Sequence, residues 1–348
     1  MILKILFFNS LITIEYENVK SFTEMIKNKN ILITGGAGFI GTHLFETLIQ
    51  ENNYIEIIDN FNQCYYSGKE ENLASVTQNC EILKDYKVIK GDLLDKSIYS
   101  KITDEIDIIF HLAAHAGVQY SMLNAEQVTR NNIGGFVNLL EFALKKEIKK
   151  LVYASSSTVY GNPIYTPVDE NHPKNPICPY GLSKLCGEIY ADYYFREYSV
   201  PITSLRFYSV YGPRGRPDMV VGKFFDLVLQ NKELIIYEDG EQLRDFTYIS
   251  DIINGIILAS EKRESSGQAF NLGWSNPISI NQLVNKIYDI VNKPKKVNYK
   301  EKKKGDMEIT HADINKAKNL LNYQPKIDID EGLQRTYNWQ IKKLKVKR

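Results

Sequence analysis

The chain has 348 residues, of which 43% are hydrophobic and 24% charged, so it is long enough to bury a sizeable core in one large or two modest domains. A formal net charge of +1 argues against a strongly electrostatic partner such as nucleic acid. The four cysteines and five histidines show no disulfide or metal-ligand spacing, so the sequence predicts no metal site and is typical of a reduced cytoplasm.

Residues 1–28 precede the first predicted strand and are interpreted as an extension or a start-site artefact. Their first part is apolar, but it contains Lys4, Asn9 and Ser10 and lacks a small-residue cleavage site, which argues against a signal peptide. No segment reaches the roughly 18 uninterrupted apolar residues that a membrane span needs. We therefore expect no membrane partner.

A glycine-rich loop follows, between a predicted strand and a predicted helix. Asn30 to Thr34 is a short apolar run, and apolar residues at helical spacing begin at Leu44. The loop between them contains Gly35, Gly38 and Gly41. Such glycines permit a tight turn and a close approach of the backbone to a pyrophosphate, whose negative charge the helix N-terminus favours. The order of strand, glycine loop and helix predicts a dinucleotide site.

Three further predicted strands end at positions that fit this site. Tyr54 to Ile58 runs into Asp59, about 20 residues after the glycine loop, where a carboxylate can bind the adenosine ribose hydroxyls and repel a 2′-phosphate. NAD is therefore preferred over NADP. The strand before Asp92 and the strand Asp107 to Leu112 follow. The small residues after Leu112 let a dinucleotide lie against the backbone.

The candidate catalytic residues follow another predicted strand. The apolar run Leu151 to Tyr153 leads into the hydroxyls of Ser155 to Thr158, at a carboxyl end where the ligand crevice of an open α/β sheet lies. Tyr180 follows Pro179, which suits a first helical position, and lies one turn before Lys184 on the same helix face. Four other tyrosines also have a lysine four residues on, so surroundings rather than spacing single out Tyr180.

Several of these motifs together resemble the extended short-chain dehydrogenase/reductase superfamily, in its nucleotide-sugar epimerase and dehydratase branch. They are the glycine loop, Asp92, His111 to Ala114, Asn132, Ser156, Tyr180 with Lys184, and Arg244 to Phe246. The resemblance runs from about residue 29 to residue 338. The segments most similar to UDP-glucuronate 4-epimerases are His111–Ser121, Ala154–Gly161 and Arg206–Met219.

The resemblance implies an α/β fold, with a doubly wound parallel-sheet Rossmann domain that binds NAD and a smaller C-terminal α/β region that binds the nucleotide sugar. The expected divisions are an extension at 1–28, the NAD-binding domain at 29–201 and 245–275, the nucleotide-sugar region at 202–244 and 276–338, and a basic tail at 339–348.

The resemblance also implies the site residues. The expected cofactor-binding residues are Gly35, Gly38, Phe39, Ile40, Gly41, Asp59, Asn60, Phe61, Asn62, Asp92, Leu93, Leu112, Ala113, Ala114, Asn132, Tyr180, Lys184 and Tyr208. The expected substrate-binding residues are Ser156, Ser157, Thr158, Ser209, Arg216, Arg244 and Asp306. The two arginines and the aspartate would hold the UDP part, because an arginine can clamp a diphosphate with two parallel hydrogen bonds.

The chain departs from the glucuronate epimerases in residues expected near the sugar. It has His115 and Gln119 where they usually carry Gln and Arg, and Ser209 where they usually carry Thr. Ser209 preserves the hydroxyl. The loss of a positive charge at Gln119 would weaken a preference for a sugar carboxylate if that side chain faces the sugar.

The resemblance implies an isomerase mechanism catalysed by Ser156, Tyr180 and Lys184. A free phenol has a pKa near 10, and lowering it by about three units takes roughly 4 kcal/mol of phenolate stabilisation, which the lysine ammonium and the nicotinamide ring would supply. Tyr180 would remove the proton of the sugar's O4 while C4 transfers hydride to NAD, and Ser156 would hydrogen-bond O4. Reduction of the bound 4-keto sugar on its other face would invert C4 and regenerate NAD.

Ser157 and Thr158 favour epimerisation over other outcomes of the oxidation. The related 4,6-dehydratases carry an Asp-Glu pair there, and a glutamate is usual at the second position in the related UDP-glucuronate decarboxylases. We therefore expect conversion of UDP-glucuronate to UDP-galacturonate. The alternatives are a 4-epimerase of UDP-glucose or UDP-N-acetylglucosamine, a dehydratase or decarboxylase, and a catalytically idle NAD-binding protein.

The helix that follows the candidate catalytic tyrosine is unusually aromatic. Its aromatic residues include Tyr190, Tyr193, Tyr194, Phe195 and Tyr198. Core packing is their ordinary interpretation. The resemblance instead implies that this helix, with the one from about Val128 to Lys145, forms a four-helix homodimer interface.

Overall fold

A computed structural model describes residues 26–63, 68–82, 84–301 and 305–346. Most of the expected extension and residues 347–348 of the expected tail lie outside the described residues. The described strands are β1 (Asn30–Thr34), β2 (Tyr54–Asp59), β3 (Tyr86–Lys90), β4 (Ile108–His111), β5 (Lys150–Ser156), β6 (Ile202–Phe207), β7 (Val210–Tyr211), β8 (Leu234–Tyr237), β9 (Leu243–Arg244), β10 (Thr247–Tyr248), β11 (Gln268–Leu272), β12 (Ile278–Ser279) and β13 (Val297–Lys300). The described helices are α1 (Phe39–Leu48), α2 (Lys69–Thr77), α3 (Val118–Leu123), α4 (Ala125–Thr129), α5 (Gly135–Lys146), α6 (Pro179–Tyr198), α7 (Val220–Leu229), α8 (Ile249–Glu261), α9 (Ile280–Val291), α10 (Asn315–Leu321) and α11 (Ile329–Val346).

Seven strands form the central sheet. Their order is β11-β6-β5-β4-β1-β2-β3, and every neighbouring pair is parallel. The strand order reverses between β1 and β4, and open α/β sheets bind ligands in the crevice at the carboxyl ends of the strands around such a point. The predicted doubly wound Rossmann architecture is confirmed.

Helices cover both faces of the sheet because its strands are apolar on both sides. On one face, Ile31 and Ile33 of β1 belong to a core that also includes α1 and α8. On the other face, Leu32 belongs to a core with Phe136 of α5 and Ala191 of α6. All three β1 side chains are fully buried. This two-sided packing holds the strand ends, and the loops that follow them, in fixed positions.

The predicted domain boundary at residue 202 is wrong for one strand. The sequence analysis assigns residues 202–207 to the nucleotide-sugar region, but β6 pairs with β5 on one side and β11 on the other, inside the central sheet. All six of its residues are buried. Because this strand is covered on both faces and paired on both edges, the chain leaves the Rossmann sheet only after Phe207.

The smaller C-terminal region contains two short sheets and the helices α7, α9 and α11. In it β8 pairs with β13 in parallel, and β9 pairs with β12 antiparallel. The predicted tail boundary at residue 339 is also wrong, because α11 continues through it. Gln340 is buried and donates to the carbonyl of Gly222 on α7 at 3.1 Å, which ties this part of the helix to the region. Among the described helices, none has both the length and the apolar composition needed to cross a membrane.

Candidate active site

A cavity of about 860 Å³ opens at the carboxyl ends of the central strands. Every predicted catalytic and substrate-binding residue lines it. Every predicted cofactor-binding residue except Phe61 also lines it. The fold thus brings residues from Gly35 to Asp306 to one continuous space.

The glycine loop after β1 is packed too closely for side chains. Gly35 has a φ of +73°, and a Cβ atom there would lie 2.7 Å from the backbone nitrogen of Ala113. A Cβ atom at Gly41 would lie 2.6 Å from Cα of Gly36. Gly38 supplies no side-chain cap to α1, and the first turn contains no acidic residue. The N–H groups of that turn and the positive end of the helix dipole are available to an anion, so the loop fits a dinucleotide pyrophosphate.

Asp59, at the end of β2, has a buried carboxylate. Its Oδ2 accepts from the N–H of Ala37 at 3.2 Å, and its Oδ1 accepts from the N–H of Phe61 at 2.8 Å. Lys69 Nζ lies 3.1 Å from Oδ1, an ion pair that the sequence analysis did not find. Phe61 has a left-handed backbone, and its ring lies against Lys90 Nζ, 5.5 Å from the ring centroid, outside the cavity lining. The Asp59 carboxylate therefore orders the backbone of the glycine loop as well as lining the cavity.

Asn132 lies in a π-helical turn, Arg130–Gly134, between α4 and α5. Its Oδ1 accepts from the N–H of His115 at 2.7 Å. Its Nδ2 donates to Ser183 Oγ at 2.9 Å and to the carbonyl of His115 at 3.2 Å. The Asn132 amide thus joins the loop after β4 to α6, and it shapes the cavity wall through contacts within the protein.

Tyr180 and Lys184 lie in the first two turns of α6. The helix begins at Pro179, which occupies the first helical position as the sequence predicts. Cys178 Sγ accepts from the N–H of Gly181 at 3.4 Å and caps the helix. The two candidate catalytic side chains are therefore presented by a rigid helix start, beside the end of β5.

Lys184 is buried at the centre of the site, with 2% of its surface exposed. Its Nζ donates to the carbonyl of Ala154 at 2.6 Å. It lies 5.0 Å from the ring centroid of Tyr153 and 5.9 Å from that of Tyr180. Burial lowers the pKa of Lys184 to about 7, and the negative charge of Glu188 opposes this shift. The protonation state of Lys184 therefore depends on the charges around it.

Ser156 has its hydroxyl oxygen fully engaged by Thr158. Its Oγ accepts from the N–H of Thr158 at 3.2 Å and from the Thr158 hydroxyl at 2.9 Å. Both acceptor positions of the oxygen are filled, so the Ser156 hydrogen is directed to another acceptor. Ser156, Ser157 and Thr158 all line the cavity, and a ligand oxygen there can receive this hydrogen.

A buried ion pair that the sequence analysis missed lies behind the two candidate catalytic side chains. Arg206 of β6 donates from Nε to Oε1 of Glu188 at 2.9 Å and from Nη2 to Oε2 at 2.7 Å. Ser155 Oγ donates to the same Oε1 at 2.5 Å. Glu188 lies one helical turn beyond Lys184, which is the only local signal in the sequence. Its partners lie on other elements, so the fold is needed to find them.

The predicted UDP-binding residues line the part of the cavity that the smaller C-terminal region forms, and they take part in ion pairs. Arg216 Nε donates to Asp218 Oδ1 at 2.9 Å, and Arg244 Nη2 donates to Asp306 Oδ1 at 2.7 Å. The side chains of Asp218 and Asp306 are 44% and 39% exposed. Solvent therefore weakens both pairs, and a diphosphate can compete for the guanidinium groups.

Known proteins identify the family. Residues 32–336 match the family model described as GDP-mannose 4,6 dehydratase. A UDP-glucuronate 4-epimerase of Thermodesulfobacterium geofontis is 37% identical, over 90% of this chain and 99% of that protein. The chain belongs to the extended short-chain dehydrogenase/reductase family of NAD-dependent nucleotide-sugar epimerases. NAD is the cofactor of this family.

Solved structures of the epimerase family share the fold. A UDP-glucuronic acid 4-epimerase variant of Bacillus cereus, solved with UDP-4-deoxy-4-fluoro-glucuronic acid and NAD, has a TM-score of 0.85 at 35% identity and covers 90% of this chain and 99% of that chain. A UDP-N-acetylglucosamine 4-epimerase of Methanobrevibacter ruminantium, solved with UDP-N-acetylmuramic acid, has a TM-score of 0.84 at 32% identity and covers 91% of this chain and 100% of that chain. The family predicted from the motifs is confirmed, and its members differ in the sugar.

Proposed function

We propose that the chain is a UDP-glucuronate 4-epimerase, which inverts C4 of the sugar through a 4-keto intermediate and yields UDP-galacturonate. The observation that carries the proposal is the grouping of Ser156, Tyr180 and Lys184 in one cavity with the glycine loop, where Ser157 and Thr158 offer hydroxyls instead of carboxylates. Elimination of the C6 hydroxyl would need a further acid and base beside the sugar. Epimerisation needs no proton transfer other than removal and return of the O4 proton, while NAD takes and returns the hydride of C4.

Tyr180 is the proposed base for this proton. The Lys184 ammonium, 5.9 Å from the tyrosine ring centroid, stabilises the phenolate electrostatically. Ser156 donates its hydroxyl hydrogen to O4 and keeps that oxygen beside the base. When bound, NAD supplies the oxidation of C4 and its later reduction from the opposite face. Tyr180 then returns the proton to O4, so the base is regenerated in each turnover.

The cofactor is assigned to the glycine-loop end of the cavity. The N–H groups of Phe39 and Ile40, in the cavity lining at the start of α1, would bind the pyrophosphate. Asp59 would bind the adenosine ribose. The small residues after β4, from Ala113, would lie along the dinucleotide.

The UDP part of the substrate is assigned to Arg216 and Arg244. Their planar guanidinium groups match a diphosphate in charge and in hydrogen-bond geometry. The exposed carboxylate of Asp218 would leave Arg216 when the diphosphate binds. Arg244 donates to Asp306 Oδ1 at 2.7 Å and to the carbonyl of Leu243 at 2.8 Å, and these two contacts would orient it until the diphosphate competes for its guanidinium group.

The C6 carboxylate of glucuronate is assigned to the hydroxyls of Ser157 and Ser209, which line the cavity, because the Thr158 hydroxyl already donates to Ser156. Neutral hydroxyl donors can bind a carboxylate without neutralising its charge, so the reactivity of C6 stays unchanged. A neutral sugar is the second candidate, and Gln119 favours it, because this uncharged side chain lines the same cavity. The similarity to a UDP-N-acetylglucosamine 4-epimerase supports the same alternative.

The proposal can be tested with UDP-glucuronate, UDP-glucose and UDP-N-acetylglucosamine in separate reactions without added NAD. Proton NMR of the hydrogen on C4 follows the inversion. Inversion of UDP-glucuronate alone would support it and would indicate that bound NAD is recycled. Inversion of a neutral sugar alone would retain the 4-epimerase and overturn the glucuronate assignment. No inversion of any sugar, even with NAD added, would contradict the proposed reaction.

We also propose a homodimer formed through α5 and α6. The exposed apolar side chains of α6, with their exposed fractions, are Leu182 (53%), Ile189 (60%), Tyr190 (39%), Tyr193 (42%) and Tyr198 (47%). Tyr194 is 5% exposed and belongs to the core. Core packing therefore explains Tyr194 but not the five exposed residues. The α6 helix of a second copy would bury these five residues. Light scattering should give twice the chain mass of 40.1 kDa, and a monomer mass would contradict the dimer.

A cytoplasmic location is proposed for the same protein. Three cysteines of the described residues are free thiols, Cys80, Cys178 and Cys186. Free thiols persist in the reducing cytoplasm. Fractionation of cells that express the chain should recover it with cytosolic markers, and recovery outside the cell would contradict this location.

A further inference from the structure

The ion pair between Glu188 and Arg206 is almost completely buried, with 8% and 2% of the two residues exposed. The guanidinium binds the carboxylate through two hydrogen bonds of 2.9 and 2.7 Å. Arg206 Nη1 also donates to the hydroxyl of Tyr160 at 2.6 Å. A buried ion pair adds little stability over apolar packing of the same volume. Stability alone therefore does not explain why these charges lie here.

Glu188 connects three elements of the proposed active site. It lies on α6, one turn after Lys184. Ser155, which donates to Glu188 Oε1 at 2.5 Å, directly precedes Ser156 on β5. Arg206 lies on β6, beside β5 in the sheet. One carboxylate thus ties the helix of the base to the strand of the catalytic serine.

A negative charge near Lys184 would stabilise its buried ammonium. Its ammonium packs against the rings of Tyr153 and Tyr180. His111 on β4 is neutral, since burial lowers its pKa well below the usual value and the charge of Lys184 lowers it further. Burial also lowers the pKa of Lys184, and the charge of Glu188 acts in the opposite direction. Glu188 therefore supplies the field that favours the ammonium.

We propose that Glu188, held by Arg206, is a positioning residue of the active site, which keeps Lys184 in its ammonium form beside Tyr180 and locks α6 against the strand of Ser156. Glu188 does not line the cavity, so it acts on the reaction through Lys184. The inference rests on the proposed function, because the charge matters only if Tyr180 transfers the O4 proton.

A double-mutant cycle between Glu188→Gln and Lys184→Met tests this role in the full-length protein with bound NAD. The kcat and KM for C4 inversion are measured by proton NMR from about pH 6 to pH 10. Glu188→Gln alone should lower kcat about tenfold near neutral pH, with little change in KM. The loss should shrink at high pH, where a phenol ionises with less help. In the Lys184→Met background, Glu188→Gln should cause a clearly smaller loss, because only its contact with the strand of Ser156 remains to be removed.

Asp251→Asn is the matched control for the loss of a buried carboxylate. Asp251 lies on α8, outside the cavity lining, and accepts from the N–H groups of Lys326 and Ile327 at 3.0 and 3.1 Å. This variant should keep the kcat of the wild type. Equal kcat losses in Asp251→Asn and Glu188→Gln would overturn the inference.

Two other outcomes would also reject the role of Glu188. One is a loss of the same size at every pH, and the other is multiplication of the losses in the double variant, because a merely structural effect produces both. If Glu188→Gln does not fold, Glu188→Gln combined with Arg206→Met removes both buried charges and enters the same cycle. Failure of the wild type to invert any of the three UDP-sugars would instead reject the proposed function.

Discussion

Replacement of Lys184 by methionine should isolate the contribution of its ammonium to the proposed base. The ammonium lies 5.9 Å from the Tyr180 ring centroid. Opposite unit charges about 6 Å apart, at an effective dielectric constant of about 20, attract by about 3 kcal/mol. Loss of this phenolate stabilisation should lower kcat about 100-fold near neutral pH. The deficit should narrow as the pH rises, because the phenol then ionises without the ammonium.

The assay for Lys184→Met is C4 inversion by proton NMR from about pH 6 to pH 10. Lys150→Met is the matched control, since Lys150 is also a buried lysine and begins β5, the strand that ends at Ser156. It lies at the opposite end of β5, outside the cavity lining, and donates to Ser265 Oγ at 2.7 Å. The control should retain kcat. An equal loss in both variants, or a deficit in Lys184→Met that does not change with pH, would refute the electrostatic reasoning.

Three further predictions follow from single residues. Tyr180→Phe should reduce kcat by at least about 100-fold with UDP-sugar affinity retained by calorimetry, and near-normal turnover would exclude Tyr180 as the base. Gly35→Ala should abolish retention of NAD during purification, because its φ is +73° and the new Cβ would lie 2.7 Å from the Ala113 nitrogen, whereas Gly222→Ala, with no atom nearer than 3.7 Å, should retain NAD. Burial lowers the pKa of Lys150 to about 7, below its unfolded value near 10.4, so the folded state binds fewer protons between these values. The free energy of unfolding should therefore rise from about pH 7 to pH 10 by up to a few kcal/mol, and chemical denaturation of Lys150→Met should show a smaller rise, because Lys184, with a pKa also lowered to about 7, still contributes.

The features that the sequence predicts correctly depend on residues close together in the chain. β1 begins and ends at the predicted residues because a short apolar run and a glycine loop define it locally. The position of β6 in the central sheet was missed, since it depends on pairing with β11, more than 60 residues later in the chain. The Glu188–Arg206 pair was missed for the same reason, because a carboxylate and a guanidinium on different elements leave no periodic pattern. Phe61 is close to Asp59 in the sequence, which is why it was predicted to bind the cofactor. Its backbone is left-handed, with a φ of 53°, and its ring lies outside the cavity lining.

The two ends of the cavity hold their ligands by different chemistry, and the difference suits an inversion. C4 can change configuration only if the sugar ring turns between oxidation and reduction while the cofactor keeps its place. The glycine loop offers a rigid backbone with no room for adjustment. The hydroxyls of Ser157 and Ser209 can donate or accept and can rotate, so they can bind the ring in either orientation. A charged side chain beside C6 would favour one orientation, whereas Arg216 and Arg244 are the proposed anchors of the UDP part, which must be held throughout. A rigid cofactor site, an adaptable sugar site and a distant anchor together favour 4-epimerisation over a reaction that fixes the ring.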